Sequence, residues 1–459
     1  MNCTQNFSRL LWGFVVCLLS YLCTPSLFAK NQSNTDSSSN LAETAPPQGP
    51  SDIASYQLES AALKSEALAV AKQFIQKYPD DPLSYALLGS AYYNIGQADN
   101  AAVHLKRSLE LSPNQADIYE IQARIAYEKG DPEESIRLYH ETLRRGPADP
   151  DILNRLGKAQ LDLGQTAQAQ STFRQAVQLP DAPSQSHFLL GQSLLQAGDY
   201  SSARLSFLQA TQQTPDHTQA FFGLFTASMR LGQTNEGRQY QKEFIRLESI
   251  DRQSLTDRSS QKDTLTGLPF VRETVARTLA GAAQLYRSHA QLDEATRLLL
   301  KAAQLDDSTP SYRAALESIY LQRQQTNEGL STFLSLLQSN PTNYLNHLFL
   351  GRFQVKAVQL AAAEISFKKV QQLAPNLPEG YRALGELYLK SPTQFPNSIA
   401  QFQNLVALHP TGPHFYLLAL ACAKNSDKQN ALDAINAALQ KNPTEARYQK
   451  LKSLIQKHD

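Results

Sequence analysis

The sequence predicts an all-α solenoid, a stack of antiparallel helix pairs, and two regular spacings carry this prediction. Glycines recur at one constant interval in the first half of the chain, at Gly96, Gly130, Gly164, Gly198 and Gly232. Prolines recur at spacings of 34, 34, 33 and 35, at Pro79, Pro113, Pro147, Pro180 and Pro215. A fixed period of this length is the signature of stacked structural repeats. The 459 residues therefore need not divide into compact globular domains, because such an array grows in one dimension.

One period, residues 82–115, shows how a unit is built. Residues 83–95 and 98–111 are expected to form two helices, and Gly96 between them suits the left-handed backbone that often ends a helix. Apolar and small residues recur at three- and four-residue spacing on both helices, so each helix has one packing stripe. Gly89 lets the second helix approach the first closely.

These residues resemble the pattern of the tetratricopeptide repeat family. The family pattern is read here as Tyr85, Leu88-Gly89, Tyr92, Ala101, Leu105, Ser108 and Pro113. The small site early in each second helix is small in all ten units, at Ala101, Ser135, Ala169, Ala203, Gly237, Ala295, Gly329, Ala363, Ser398 and Ala431. The bulky site that follows is apolar in nine of ten, at Leu105, Tyr139, Phe173, Phe207, Leu299, Phe333, Phe367, Phe402 and Ile435, with Gln241 as the exception.

The resemblance covers nearly all of residues 53–459. It implies a right-handed superhelical solenoid of about 10–11 repeats whose first helices line a concave, peptide-binding face. It also implies a non-catalytic protein–protein interaction scaffold.

The periodic region is expected to fall into two sub-arrays. The first spans residues 53–251 and opens with a degenerate repeat at 53–79; a polar linker or insert follows at 252–272. The second sub-array spans 273–459 and ends in a capping helix, because a terminal repeat must cover its apolar face. It lacks the glycines, and the equivalent turn positions are Ala290, Gln324, Val358 and Ser426.

Residues 1–29 read as a signal peptide: Arg9 precedes an apolar run from Leu10 to Leu22, and Ala29 offers a small residue before a cleavage point. Two alternatives stay open. Residues 10–29 are just long enough to remain as a membrane anchor, or Cys23 or Cys17 is acylated as in a lipoprotein. Residues 30–52 read as a disordered polar linker. The chain is therefore expected to be exported, either periplasmic or secreted, or else anchored to the membrane.

The overall charge argues against a nucleic-acid partner, because 43 basic residues are matched by 42 acidic ones. The balance hides an asymmetry. Residues 30–251 contain 19 basic and 26 acidic residues, whereas residues 252–459 contain 23 and 16. Opposite charges could pair the two sub-arrays of different molecules into a homo-oligomer, or could belong to unrelated solvated faces.

The sequence contains no HExxH, GxSxG, Walker A or GxGxxG motif, so we expect no enzyme activity, no cofactor and no metal. Cys422 is expected to be a buried packing residue. A clamp of Lys, Asn and Arg, which members of the family use for chaperone C-termini, does not match Ala86, Ser90, Glu120 and Arg124.

The predicted functional surface is the groove formed by the first helices. Exposed aromatic and Met side chains beside scattered charge are what a peptide-binding surface needs. The partner-binding residues expected there are Tyr93, Arg124, Tyr127, Asn154, Lys158, Phe188, Gln192, Phe222, Met229, Arg352, Arg382 and Lys424. The same stripe also contains Asp117, Glu120, Glu128, Leu195, Arg277, Arg287, Lys356, Glu386 and Lys390. Export together with this repeat resembles bacterial envelope proteins that assemble secretion, pilus or cell-surface machinery, and a membrane-tethered assembly factor is the alternative.

Overall fold

The computed structural model describes residues 50–180, 182–265 and 267–457, with side chains from 55 to 253 and from 267 to 457 within those ranges. The predicted signal or anchor segment and residues 30–49 of the predicted linker lie outside them. The described residues form 22 α-helices and one short 3-10 turn at Pro392–Gln394. They belong to two compact units, the first ending at Ser288 and the second beginning at His289.

The helices of the first unit are α1 Pro50–Lys77, α2 Pro82–Asn94, α3 Ala98–Leu111, α4 Ala116–Glu128, α5 Pro132–Arg145, α6 Pro150–Asp162, α7 Thr166–Gln178, α8 Ser184–Gln196, α9 Tyr200–Gln213, α10 Thr218–Arg230, α11 Thr234–Leu265 and α12 Leu268–Ser288. Those of the second unit are α13 Leu292–Leu305, α14 Pro310–Gln322, α15 Thr326–Ser339, α16 Tyr344–Lys356, α17 Leu360–Leu373, α18 Pro378–Tyr388, α19 Phe395–Leu408, α20 Gly412–Lys424, α21 Lys428–Lys441 and α22 Ala446–Lys457. Along this described part of the chain, no helix combines the length and apolarity needed to cross a membrane.

The helices keep the predicted period. In the first unit the first helix of each pair begins at Pro82, Ala116, Pro150, Ser184 and Thr218, and in the second unit at Pro310, Tyr344, Pro378, Gly412 and Ala446. Both series keep one constant interval, which equals that of the glycine series in the sequence. This confirms the predicted fold class, an all-α repeat superhelix of antiparallel helix pairs. The first helix of a pair is called A and the second B below, and positions are counted from the first residue of A.

Local signals start and stop these helices. The Asp81 carboxylate accepts a hydrogen bond of 2.9 Å from the Leu83 amide, and Pro82 occupies the first helical position. At the other end of α2, Gly96 has a φ of 83°. The Gly96 amide donates to the Tyr93 carbonyl and the Gln97 amide donates to the Tyr92 carbonyl, both at 2.9 Å, which closes the helix in a Schellman motif.

The second unit makes the same turn without glycine. Its residues with positive φ are Ala290 at 58°, Gln324 at 58°, Val358 at 60° and Ser426 at 61°, which confirms the turn positions predicted from the sequence. A side chain in this left-handed region is strained, and a β-branched one most of all.

The core follows the predicted register of small and bulky sites. An added Cβ at Gly89 would lie 2.6 Å from Leu105, and one at Gly157 would lie 2.4 Å from the Phe173 ring. The bulky residue at position 24 of the repeat, on the B helix, thus fills the space left at position 8, on the A helix. Most of these sites are wholly buried, including Ala101, Leu105 and Phe173. Cys422 is also buried, as predicted, and burial raises the pKa of its thiol to about 11.

Two stretches differ from the predicted layout. Residues 252–272 were expected to be a polar linker, but α11 continues to Leu265 and α12 begins at Leu268. No proline or glycine, the two residues that break helices most strongly, interrupts residues 238–266, so the helix can continue through them. Residues 53–79, expected to form a degenerate helix pair, belong to the single helix α1, which likewise contains no glycine and no proline after Pro50.

Helix α12 packs against α1 and α2, at the start of the first unit, although it is distant from them in sequence. The Arg272 guanidinium bonds to Glu59 at 2.6 Å, and these two residues are 213 positions apart. The Tyr286 ring meets the Phe74 ring edge-on with centroids 5.0 Å apart. Thus α12 serves as the A helix for α1, and the two complete a repeat from distant segments. The sequence had placed α12 in the second sub-array.

This composite repeat predicts an energetic coupling between Phe74 and Tyr286. Both are buried, so each truncation to alanine should cost about 3–5 kcal/mol of the free energy of unfolding. Because the rings touch, the double variant should depart from additivity by about 1 kcal/mol or more. Urea unfolding of the four proteins measures this term. Phe270→Ala on the same helix is the control, since that ring is 57% exposed and should not couple to Phe74. Additive effects of Phe74→Ala and Tyr286→Ala would contradict the composite repeat.

The turn at Val358 predicts a stabilising substitution. Val358 has a φ of 60° and is 77% exposed, so Val358→Gly relieves backbone strain without removing core packing. The gain should be about 0.5–1 kcal/mol, because the flexibility of glycine in the unfolded chain offsets part of the relief. Gly96→Val at the equivalent turn should be destabilising. Thermal unfolding of both variants measures the difference, and a loss of stability in Val358→Gly would refute this account of the turn.

Candidate functional site

The A helices line the inner face of each unit. Successive A helices contact each other directly, α6 with α8 and α8 with α10 in the first unit, and α14 with α16 and α16 with α18 in the second. Successive B helices approach each other less closely in the part of the chain described. In the first unit α12 also contacts α2, so the inner face there runs through α12, α2, α4, α6, α8 and α10. Positions 2, 5, 9, 12 and 13 of each A helix supply the side chains of this face; in α12, whose turn residue Ala290 corresponds to Gly96, position 1 is Ala276.

A repeated tyrosine–carboxylate pair marks one edge of the first inner face. The Tyr93 hydroxyl donates to Glu128 Oε1 at 2.6 Å, and the Tyr127 hydroxyl donates to Asp162 Oδ2 at 2.5 Å. In both pairs the partners are 35 residues apart, so position 12 of one A helix bonds to position 13 of the next. We call these four residues the rim ladder. The Arg124 guanidinium lies over the Tyr93 ring, 5.0 Å from its centroid.

The rim ladder holds its phenols in the protonated form. Burial, followed by the hydrogen bond to Glu128, raises the pKa of Tyr93 to about 12. The hydrogen bond to Asp162, followed by burial, raises the pKa of Tyr127 to about 12. Each phenol is therefore a fixed donor at neutral pH, and each carboxylate keeps further acceptor capacity toward solvent.

Two carboxyl groups lie deeper on α4. Burial raises the pKa of Asp117, and two backbone amides oppose that rise. Burial also raises the pKa of Glu120, while the positive charges of Arg124 and Arg155 lower it. Carboxylates and guanidinium groups therefore alternate on this part of the face, which gives it mixed polarity.

Asn154 is buried at 5% exposure, although the sequence predicted it as an accessible groove residue. Its Nδ2 donates to Ser186 Oγ at 2.8 Å, which ties α6 to α8. Its Oδ1 is buried and has no hydrogen-bond partner among the described residues. A buried amide oxygen without a partner costs free energy, so Asn154 stabilises the α6–α8 contact through its Nδ2 bond alone.

The other end of the first inner face is apolar. Phe188 is half-buried against the Phe207 ring at 5.9 Å, whereas Phe222 is 50% exposed and Met229 is 42% exposed on α10. The Phe222 ring lies 5.3 Å from that of Phe244 on α11. Among the remaining predicted residues of this unit, Lys158 and Gln192 are exposed, and the side chains of Arg124 and Tyr93 are half-buried.

The remaining predicted residues, Arg352, Arg382 and Lys424, lie on the A helices of the second unit, and all three are exposed. Arg352 forms an ion pair of 2.9 Å with Glu317 and lies over the Phe349 ring at 5.2 Å. The structure therefore divides the predicted groove between the two units: nine residues lie in the first and three in the second.

Two features of the site were missed from the sequence. Asp162 was not proposed, although it follows Tyr127 at the same spacing as Glu128 follows Tyr93, and that spacing was a readable signal. Arg277 and Arg287 were assigned to the second sub-array, but α12 places them on the inner face of the first unit. No local signal in the sequence shows that α12 returns to α1.

The rim ladder predicts a pH dependence. Because the folded-state pKa of Tyr93 is about 12, above the ordinary 10.0, folding holds the phenol proton more tightly. Its contribution to stability is fully present below about pH 10 and is lost as the pH rises toward 12. Ultraviolet titration of tyrosinate, taken as the difference between wild type and Tyr93→Phe, measures this pKa. Glu128→Gln should lower it toward 10.0, and an unchanged value would show that the hydrogen bond plays no part.

Comparison with protein families identifies the repeats. Family models described as tetratricopeptide repeat match residues 83–115, 122–187, 154–218, 188–246 and 383–446. No curated protein matches the sequence significantly.

Solved structures that align with the chain do so at low identity. YrrB, described as a TPR protein with an unusual peptide-binding site, is 20% identical over 41% of this chain and 97% of its own, with a TM-score of 0.37. Yeast Tom70 is 12% identical over 87% of this chain and 95% of its own, with a TM-score of 0.36. TTC0263 of Thermus thermophilus is 16% identical over 39% of this chain and 98% of its own, with a TM-score of 0.32. With its constant repeat interval, its packed small and bulky sites and its family matches, the chain belongs to the tetratricopeptide repeat family, whose repeats serve as protein–protein interaction scaffolds.

Proposed function

We propose that the chain is a non-catalytic scaffold that holds a peptide segment of a partner protein on the inner face of its first unit. The observation that carries this proposal is the exposure of large apolar side chains there, Phe222 and Met229 above all. Exposed aromatic and Met side chains that line a concave surface mark an interaction site more often than a solvated face. Phe188 and Leu195 on α8 extend the same apolar surface.

Polar groups beside this surface would orient the segment. Gln192 and Lys158 are exposed at position 9 of α8 and α6, so they can bond to a peptide carbonyl or carboxylate. A few polar groups among apolar anchors are the usual composition of a binding site that fixes orientation as well as affinity.

We also propose that the chain works outside the cytoplasm. The support is the sequence of residues 1–29, with Arg9 before an apolar run and Ala29 before a polar stretch. In this reading the chain is periplasmic or secreted. Its alternative is a membrane-tethered assembly factor for a secretion, pilus or cell-surface complex, with residues 10–29 retained as an anchor. The mass of the mature chain and its membrane fractionation decide between them: an intact chain in the membrane fraction contradicts a cleaved signal.

The peptide-binding function predicts the behaviour of a groove variant. A phage-displayed library of random peptides, selected on the immobilised full chain, should yield binders. The double substitution Phe222→Ser and Met229→Ser should weaken them by about tenfold or more, because a buried apolar anchor contributes over about 1 kcal/mol. The control is Leu205→Ser on the B helix α9, which removes an apolar side chain of 62% exposure away from the inner face. Binders that tolerate the double variant but not the control would place the site elsewhere, and a library without enrichment would refute the function.

A further inference from the structure

A row of lysines follows the inner face of the second unit. Lys356, Lys390 and Lys424 succeed one another at the repeat interval, at position 13 of α16, α18 and α20, and all three are exposed. The first unit has the carboxylates Glu128 and Asp162 at the same position. The remaining A helices of the first unit from α2 to α10 have Asn94, Gln196 and Arg230 there, so that row is mixed whereas the row of the second unit is basic on three successive A helices.

The rest of the second inner face is also basic. At positions 2, 5, 9, 12 and 13 of the A helices from α14 to α22, the described residues include eight basic and two acidic ones. The basic residues are the three lysines of the row together with Arg352, Arg382, Arg447, Lys450 and Lys457; the acidic ones are Glu379 and Glu386. Three of the basic residues have acidic neighbours, since Arg352 pairs with Glu317, Lys356 lies near the same carboxylate and Arg447 pairs with Glu445. The face keeps a clear positive excess.

Stabilisation of the helices does not account for this excess. Lysine near the C-terminus of a helix interacts favourably with its dipole, which would explain Lys356 and Lys424 at the last residues of their helices. Lys390, however, lies beyond Tyr388, where α18 ends. Arg382 lies near the middle of α18, where the dipole has little effect. The shared property of these residues is their place on the inner face.

We propose that the inner face of the second unit binds an extended acidic segment of a partner protein, with a carboxylate at every third position. Helices α16 and α18 are in contact, and helices in contact lie about 8–10 Å from each other, so Lys356 and Lys390 are separated by about that distance. A segment in the extended polyproline II conformation has three residues per turn and rises about 3.1 Å per residue, so every third side chain lies on one face, about 9 Å from the next. This surface is separate from the apolar surface of the first unit, and the inference does not depend on that site.

A peptide fits these observations better than a nucleic acid or a second copy. Residues 289–459 carry 17 basic and 13 acidic residues, a smaller excess than the marked basic character of a nucleic-acid binder. A second copy would have to offer an acidic row in extended form, and the carboxylates of the rim ladder instead lie on helix ends and accept bonds from tyrosines. An extended acidic segment can pair with a row of lysines, and it requires neither a marked basic excess on the protein nor an acidic row on a second copy.

Fluorescence anisotropy with four labelled probes tests the proposal on the full chain. The first probe is the peptide (Glu-Gly-Ser)₄, and the second has the same composition with its four glutamates contiguous. The third is (Lys-Gly-Ser)₄ and the fourth is an oligothymidylate with as many nucleotides as the peptides have residues. The spaced acidic peptide should bind best, and its affinity should fall about tenfold between low and high salt, because exposed charges are screened. The triple substitution of Lys356, Lys390 and Lys424 to alanine should weaken it by about tenfold.

The matched control replaces Lys368, Lys369 and Lys441, which lie on the B helices α17 and α21, so it removes the same charge away from the inner face. The control should bind like wild type, and the variant with arginine at all three positions of the row should recover binding. Circular dichroism checks that each variant is folded. The proposal is overturned if the acidic peptide fails to bind, if contiguous glutamates bind equally well, or if the oligonucleotide binds more tightly through the same lysines. Salt-sensitive self-association that requires the lysine row would also overturn it, in favour of a second copy as the occupant.

Discussion

The arrangement depends on one steric fit, in which a bulky side chain of the B helix enters the space of an absent side chain on the A helix. Phe173 fills this space at Gly157, and Phe367 fills it at Gly351, where an added Cβ would lie 2.4 Å from either ring. The same fit occurs at Gly89, Gly191 and Gly385, and it fixes the distance and angle between the helices of those pairs. The same five positions of each A helix therefore recur on the inner face, and a functional row can be built by choosing one residue per repeat.

The fit also explains where the first array stops. In the fifth pair Phe225 occupies the position of the glycine, and Gln241 occupies that of the bulky residue. Gln241 is exposed, while Phe222 packs on Phe244 instead. The B helix then runs on to Leu265 rather than turning into another A helix. At the opposite end α1 lacks an A helix of its own, and its apolar residues are covered by α12, because a helix pair buries its stripe only when a neighbour covers it.

Local rules predicted most of this from the sequence, and the failures share one cause. The small site at Ala101, the bulky site at Leu105 and the turn at Val358 each depend on residues within one repeat, and the structure has them as predicted. The packing of α12 against α1 depends on a contact between distant segments of the chain, and the periodic pattern of the sequence does not predict such a contact. Asn154 shows the same limit on a smaller scale. Its position in the repeat was read correctly, but its burial follows from Ser186 of the next repeat, and helical spacing alone could not supply that partner.

The two inner faces differ in the side chains that they carry at one repeated position. The Schellman turn after each A helix fixes the backbone at positions 12 and 13 in the first unit, and Val358 preserves the same hydrogen bonds in the second. The backbone therefore does not restrict which side chain stands at position 13, and the choice between Glu128 and Lys356 has no effect on the packing fit. This position carries carboxylates on α4 and α6 and lysines on α16, α18 and α20. The near-neutral total charge of the chain therefore averages over faces of different local charge, and a single measurement of net charge would conceal that difference.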